Sequence, residues 1–277
     1  MNTDPAVAPK HRARKRFGQH FLTDPYVVAG IVAAISPQRD DHLVEIGPGL
    51  GVLTESLLPC VNAMDAIELD RDIIPKLKEH CRDRGQLHIH EADALKFDFT
   101  TLAEDGRPLR IVGNLPYNIS TPLMFHLLSM RERIQDMHFM LQKEVVDRLA
   151  AIPGNKDYGR LSVMMQYHCR VESLMQVPPE AFSPPPKVNS AVVRLVPYSE
   201  PPVNVDNVNL LEKLVTQAFS QRRKTLRNTL KPLMNAEQIE AQGVDPKRRA
   251  ETLSLSEFAT LTNFVSANSV RKENKAD

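Results

Sequence analysis

Short apolar runs with strand character take turns with helical patterns along the first half of the chain, and this alternation constrains the fold more than any other feature. The runs LVEIG, DAIELD, QLHIHEAD, RIVGN and MHFML fall between residues 43 and 141. Among them, VLTESLLPC, RDIIPKLKEHCRDR and TPLMFHLLSMRE carry apolar residues at helical spacing. Strands separated by helices pair in parallel through crossovers, so the pattern predicts βαβ units and a largely parallel sheet. After LSVMMQYHC and a proline-rich stretch, SAVVRLVP reads as a further strand, which gives the sheet a hairpin-like ending.

The second half reads differently. PYSEPPVNVD at 197–206 holds three prolines and no apolar period, the composition of a linker. LLEKLVTQAF, TLRNTLKPLM, NAEQIEAQ and SEFATLTNFV then follow with helical patterns and no intervening strand. Ser254 and Glu257 have the spacing of a capping box at the start of the last helix. The expectation is an α/β domain over 10–200, an all-helical domain over 207–267, and disordered tails at 1–9 and 268–277.

With 42% hydrophobic and 25% charged residues the composition is that of an ordinary globular chain. The longest apolar run, VVAGIVAAI at 27–35, is too short to span a bilayer, and the N-terminus lacks the apolar stretch of a secretory signal. A cytoplasmic protein with no membrane segment is expected. Cys60, Cys81 and Cys169 have neither CxxC nor His-rich spacing, so no disulfide framework and no metal site are indicated. The net charge of +1 hides two basic runs without an acid, KHRARKRFGQHFL at 10–22 and QRRKTLRNTLK at 221–231.

VEIGPGLGVLT, 44–54, places Glu45, Gly47, Gly49 and Gly51 between a strand and a helix. Glycine there lets the backbone approach a ligand at the carboxyl edge of a sheet, whereas a bare tight turn is the plainer reading. Val52 occupies the position of the third glycine of a dinucleotide fingerprint, and no Gly-Lys-Ser/Thr follows, so NAD, FAD and P-loop readings fit poorly. Glu68 closes the second strand at the place where an acid accepts the hydroxyls of an adenosine ribose. Asp93, at the end of the third, can accept from an adenine amino group. Singly each acid reads as a solvated strand end or helix cap. Together they imply a nucleoside ligand without a pyrophosphate.

EIGPGLG, Glu68, EADAL and NLPY resemble the ordered motifs of S-adenosylmethionine-dependent methyltransferases acting on amino nitrogens. RFGQHFL, VEIGPGLGVLT, IVGNLPYNISTPL, AFSPPPKVNSAVVRL and ETLSLSEF, in order from about residue 15 to 264, are more closely similar to the small-subunit ribosomal RNA adenine dimethyltransferases. The resemblance implies a Rossmann-like class I methyltransferase sheet. It implies S-adenosylmethionine as cofactor, S-adenosylhomocysteine as product, and two adjacent adenosines in the 3′-terminal hairpin loop of 16S rRNA within the 30S subunit as substrate. It also implies a monomer with a role in subunit biogenesis.

The chemistry accounts for Asn114-Leu115-Pro116-Tyr117. An adenine N6 lone pair is delocalised into the ring and is a poor nucleophile. If the Asn114 side-chain oxygen and the Leu115 or Pro116 carbonyl each accept one N6 hydrogen, the lone pair turns toward the sulfonium methyl group. Proline holds the carbonyl in place, and Tyr117 stacks on a base drawn out of its helix. Taken without the glycine turn, the four residues read as a β-turn. By resemblance, Phe182 covers the other face of the base, His20 and Leu22 lie over the cofactor, and Arg14, Lys15 and Arg16 contact RNA. Family members often carry Asn in place of His20. Arg222, Arg223, Lys224 and Arg227, with Lys231, give a second phosphate-binding patch. Competing readings are a large-subunit RNA or DNA adenine methyltransferase of the same fold, and a noncatalytic assembly factor.

Overall fold

The computed structural model describes residues 20–103 and 105–273. In chain order the elements are β1 (Phe21–Leu22), α1 (Pro25–Ile35), β2 (His42–Ile46), α2 (Val52–Leu57), β3 (Ala63–Glu68), α3 (Ile74–Cys81), β4 (Gln86–Glu91), β5 (Leu109–Asn114), α4 (Ser120–Leu128) and β6 (Ile134–Gln142). These are followed by α5 (Lys143–Ala150), α6 (Arg160–His168), β7 (Cys169–Val177), β8 (Phe182–Ser183), β9 (Ser190–Pro197), α7 (Val208–Ala218), α8 (Leu226–Thr229), α9 (Ala236–Ala241) and α10 (Leu255–Glu273).

A seven-stranded sheet has the order β4-β3-β2-β5-β6-β9-β7. β2 to β6 are mutually parallel, while β9 runs antiparallel to both β6 and β7. The alternation predicted from sequence is thus present, and the far edge ends in the hairpin-like pair expected there. The sheet order reverses between β2 and β5, and in open α/β sheets ligands bind at the carboxyl ends beside such a reversal. The central strands are continuous apolar runs because both faces are covered. Val44, Ile111, Phe139 and Leu195 pack on one side, and Leu43, Val112, Met140 and Val192 on the other with α1.

Three strands carry no readable sequence pattern. β7 is an edge strand with one flank in solvent, and β1 and β8 are two-residue strands that pair only with each other. The helical region forms as predicted, with the Ser254–Glu257 box realised by Ser254 N–H donating to Glu257 Oε2 at 2.8 Å and Glu257 N–H to Ser254 Oγ at 3.2 Å. α10 runs on to Glu273, past the point where its sequence pattern ends. Tyr158, Val163, Met164 and Tyr167, from α6 and the loop before it, share one apolar cluster with Leu211, Leu214, Leu226, Phe258 and Leu261 of the helical region. The helical region is therefore seated on α6 through a common core.

Candidate active site

β2 ends at Ile46, and the chain turns through Gly47-Pro48-Gly49-Leu50-Gly51 into α2. Gly47 has φ +67°, a conformation costly for any residue with a β-carbon, and a Cβ built there would meet nothing within 4 Å. That space belongs to a cavity of about 400 Å³ over the carboxyl ends of β2, β3, β4 and β5. Its lining includes His20, Leu22, Glu45, Gly47, Gly49, Glu68, Asp93, Asn114, Leu115, Pro116 and Tyr117, so sites far apart in sequence converge on one concavity.

The acids differ in how they are held. Glu45 is buried and accepts from Thr54 Oγ1 at 2.6 Å; burial, opposed by that bond and reinforced by nearby Glu68, pushes its pKa up to about 7. Glu68 is 7% exposed and accepts from the backbone N–H of Asp70 at 2.8 Å and of Gly49 at 3.2 Å. Burial raises its pKa, and these backbone donors oppose the shift. Asp93 Oδ1 accepts from Leu95 N–H at 3.0 Å, the cap role that an isolated acid suggests, yet the residue also lines the cavity.

Asn114 is the last residue of β5. Its Nδ2 donates to the His20 carbonyl at 3.1 Å, which leaves Oδ1 as the acceptor on the other side of the amide. Leu115 N–H donates to Met140 O at 3.2 Å, tying the turn to β6, and Ile119 N–H donates to Pro116 O at 3.1 Å. The Tyr117 hydroxyl lies 3.1 Å from Ser190 Oγ. Across these residues runs a clasp in which β1 pairs antiparallel with β8, Phe21 opposite Ser183 and Leu22 opposite Phe182, with Thr23 N–H donating to Ala181 O at 2.8 Å.

Several residues singled out in the sequence lie elsewhere. Gly51 is absent from the cavity lining; it caps α2 with φ +90°, and a Cβ there would come within 2.7 Å of Leu77 Cδ1, so its smallness serves helix packing. Phe182 is 4% exposed and packs in the core with Val177, Ala181 and Val192; it does not line the cavity. Arg14, Lys15 and Arg16 lie outside the described residues. Arg222, Arg223, Lys224 and Arg227 are exposed on the helical region between α7 and the end of α8. The Arg222 guanidinium donates back to the Lys156 carbonyl and sits 3.4 Å from Glu251.

Sequence reasoning missed Leu69, Asp70, Gly113, His138 and Met140, all in the lining. Gly113 left a signal, since a glycine inside a strand marks close backbone approach; a Cβ there would lie 2.6 Å from the Ile46 carbonyl. His138, a lone polar residue in the apolar run MHFML, left another. It is 3% exposed, and burial drives its pKa down to about 4.

The profile of the ribosomal RNA adenine dimethylase family matches residues 10–267. The chain belongs to that family. It is 59% identical over 254 residues to the ribosomal RNA small subunit methyltransferase A of Pseudomonas aeruginosa, covering 92% of this chain and 95% of that one. Among solved structures it is similar to a dimethyladenosine transferase from Plasmodium falciparum, with TM-score 0.75 and 28% identity over 87% of this chain and 96% of that one. The 23S rRNA methyltransferase ErmE shares the fold, with TM-score 0.70 and 24% identity over 89% of this chain and 99% of that one. The reaction class is thus methyl transfer to adenine in ribosomal RNA, carried out by a class I methyltransferase sheet.

The lining fits S-adenosylmethionine as the methyl source. The carboxylates Glu68 and Asp93 offer acceptors to a molecule rich in donors, and Glu45 and Glu68 have no cationic side chain paired with them among the described residues. Two buried acids beside an open glycine turn suit a ligand that brings its own hydroxyls and positive charge.

Proposed function

We propose that this chain converts two adjacent adenosines, in the hairpin loop near the 3′ end of 16S rRNA, to N6,N6-dimethyladenosine. The reading places the reaction within the 30S subunit, in the cytoplasm, with the protein acting as a monomer during subunit biogenesis. S-adenosylmethionine supplies a methyl group activated on a sulfonium and leaves as S-adenosylhomocysteine. Glu68 holds its ribose hydroxyls, Asp93 its adenine amino group, and the backbone at Gly47 and Gly49 leaves room for it to approach.

The observation that carries the reading is the fixed Asn114 amide, with Nδ2 on the His20 carbonyl and Oδ1 left to accept. Asn114 Oδ1 takes one hydrogen of the target N6. The Leu115 or the Pro116 backbone carbonyl supplies the second acceptor, and the Pro116 oxygen also receives Ile119 N–H. With both hydrogens held, the nitrogen lone pair would face the methyl group of a bound sulfonium, and the N6 proton, made acidic by alkylation, would pass to water. Positioning and electrostatics therefore carry the step without a strong general base. Tyr117, tethered through its hydroxyl to Ser190, offers its ring to the extruded base. His20 and Leu22 line the same cavity.

The deciding experiment is methyl transfer from labelled S-adenosylmethionine to small subunits lacking adenosine methylation, with modified nucleotides mapped by mass spectrometry. Two adjacent dimethyladenosines are expected; tight binding without transfer would favour an assembly factor. Asn114→Ala is expected to bind cofactor normally and lose turnover by roughly 10²–10³-fold, the scale of one removed transition-state hydrogen bond. Reversing charge at Arg222 and Arg223 is expected to weaken RNA binding and flatten its salt dependence. An unchanged salt slope would take those side chains out of the interface.

A further inference from the structure

We propose that His20 is a positioning residue for methyl transfer. It holds the Asn114 amide in the one orientation that presents Oδ1 to the target nitrogen, and it makes that orientation depend on the β1–β8 clasp. The inference rests on the reading that Asn114 Oδ1 accepts from adenine N6.

A side-chain amide has two faces of opposite character, and half a turn about χ2 exchanges them. Turned over, Asn114 would aim N–H donors at an amino group that is itself a donor. The His20 carbonyl, 3.1 Å from Nδ2, breaks this symmetry, because a turned amide would set Oδ1 against that carbonyl oxygen. Asn114 is half-buried, and no other hydrogen bond of its side chain exists among the described residues. The orientation thus depends on where one backbone oxygen sits.

That oxygen is located by three tethers. The register Phe21 to Ser183 and Leu22 to Phe182 fixes the strand that begins immediately after it. A slip of one residue would move the carbonyl by about 3.3 Å, enough to break the bond. Thr23 N–H on Ala181 O, at 2.8 Å, anchors the far end. The third tether is the His20 side chain. Its Nδ1 lies 2.8 Å from the Pro184 carbonyl, which can only accept, so Nδ1 carries the proton. The ring also lies nearly parallel to Tyr117, with an interplanar angle of 24° and centroids 6.1 Å apart. One residue therefore joins the clasp, the Pro184 segment and the Asn-Leu-Pro-Tyr turn. A group that served only as a wall over the cofactor would need neither of its two ring contacts.

The test compares His20→Ala, His20→Asn and His20→Gln in the full-length enzyme. Alanine removes the donor to Pro184 and the face on Tyr117. The Asn Nδ2 occupies nearly the place of imidazole Nδ1 and restores the donor, whereas glutamine carries its amide one methylene too far. The expected result is a fall in kcat of about tenfold or more for alanine and glutamine. Affinity for S-adenosylhomocysteine by calorimetry should fall by a smaller factor than kcat, and asparagine should recover kcat to within about threefold. The Asn114 side-chain ¹H–¹⁵N resonances, assigned by their loss in Asn114→Ala, should shift in the alanine and glutamine variants and return in the asparagine variant. If alanine does not fold, the asparagine and glutamine pair decides alone. Unmoved resonances with unchanged kcat would overturn the inference, as would a loss of cofactor affinity equal to the loss of kcat. Wild-type turnover in Asn114→Ala would instead overturn the reading of Asn114 itself.

Discussion

The two ends of the parallel sheet treat buried charge in opposite ways. At the amino end Arg110, 5% exposed, donates through Nε and Nη2 to the two oxygens of Asp136, both at 2.9 Å, and through Nη1 to Asp41 at 2.5 Å. It also donates to the Ile35 carbonyl at 2.6 Å, which ties the end of α1 to the sheet, and Arg194 reaches Asp136 at 3.2 Å. At the carboxyl end Glu45 of β2 and Glu68 of β3 are comparably buried, yet they receive only a hydroxyl and backbone N–H groups. The sheet thus separates acids that an arginine neutralises from acids that meet no cationic side chain among the described residues. Desolvation is costly in both places, and only at the amino end does a cation offset it.

The contrast can be broken most directly at its structural end. Arg110→Met should strand Asp41 without a cation, leave Asp136 only Arg194 at 3.2 Å, and lower the unfolding free energy by about 3–5 kcal/mol, measured by urea denaturation. Near-normal stability would mean that the two ends are not different in kind. The next effect concerns pH. Glu45 titrates near 4.5 when exposed and at about 7 in the fold, so its contribution is fully present below pH 4.5 and is lost as pH rises through 7. The unliganded protein should be less stable at pH 8 than at pH 4.5 by about 3 kcal/mol from this group, and Glu45→Gln should remove that slope. A slope that survives the substitution would assign the titration elsewhere. The smallest expected effect is on binding. Glu68→Gln should weaken S-adenosylhomocysteine by about 1.5–3 kcal/mol, read by calorimetry, while leaving the Arg110 end and overall stability intact.

What the sequence made legible follows the same division. The central strands announced themselves because burial on both faces demands apolar runs, and the acids at Glu68 and Asp93 stood out by interrupting them. Gly47 and Asn114 could be placed since a turn between strand and helix restricts which residue types serve there. The clasp was invisible: Phe21–Leu22 and Phe182–Ser183 are two residues each, too short for any period, and their pairing is a matter of tertiary position. Phe182 shows the limit of reading a role from a motif, because a ring that suits base stacking also suits a core, and here it packs in the core. Gly51 belongs to the same glycine run as Gly47 but answers to Leu77, a contact between two helices that the turn itself does not encode.

The clasp also bears on how the protein comes into being. The Asn114 amide is set by residue 20, whose neighbour Thr23 is anchored on Ala181, 158 positions further along the chain. Closing a loop of that length costs on the order of 4 kcal/mol in chain entropy, and contacts so distant in sequence are expected among the last to form. A nascent chain emerging from the ribosome can assemble β2 to β5 with their glycine turn and acids well before β8 exists. It would lack the carbonyl that orients the amide. On this account the reaction centre is completed only when nearly the whole α/β region has been synthesised and closed upon itself, so that a partial chain holds the parts of the site without its alignment.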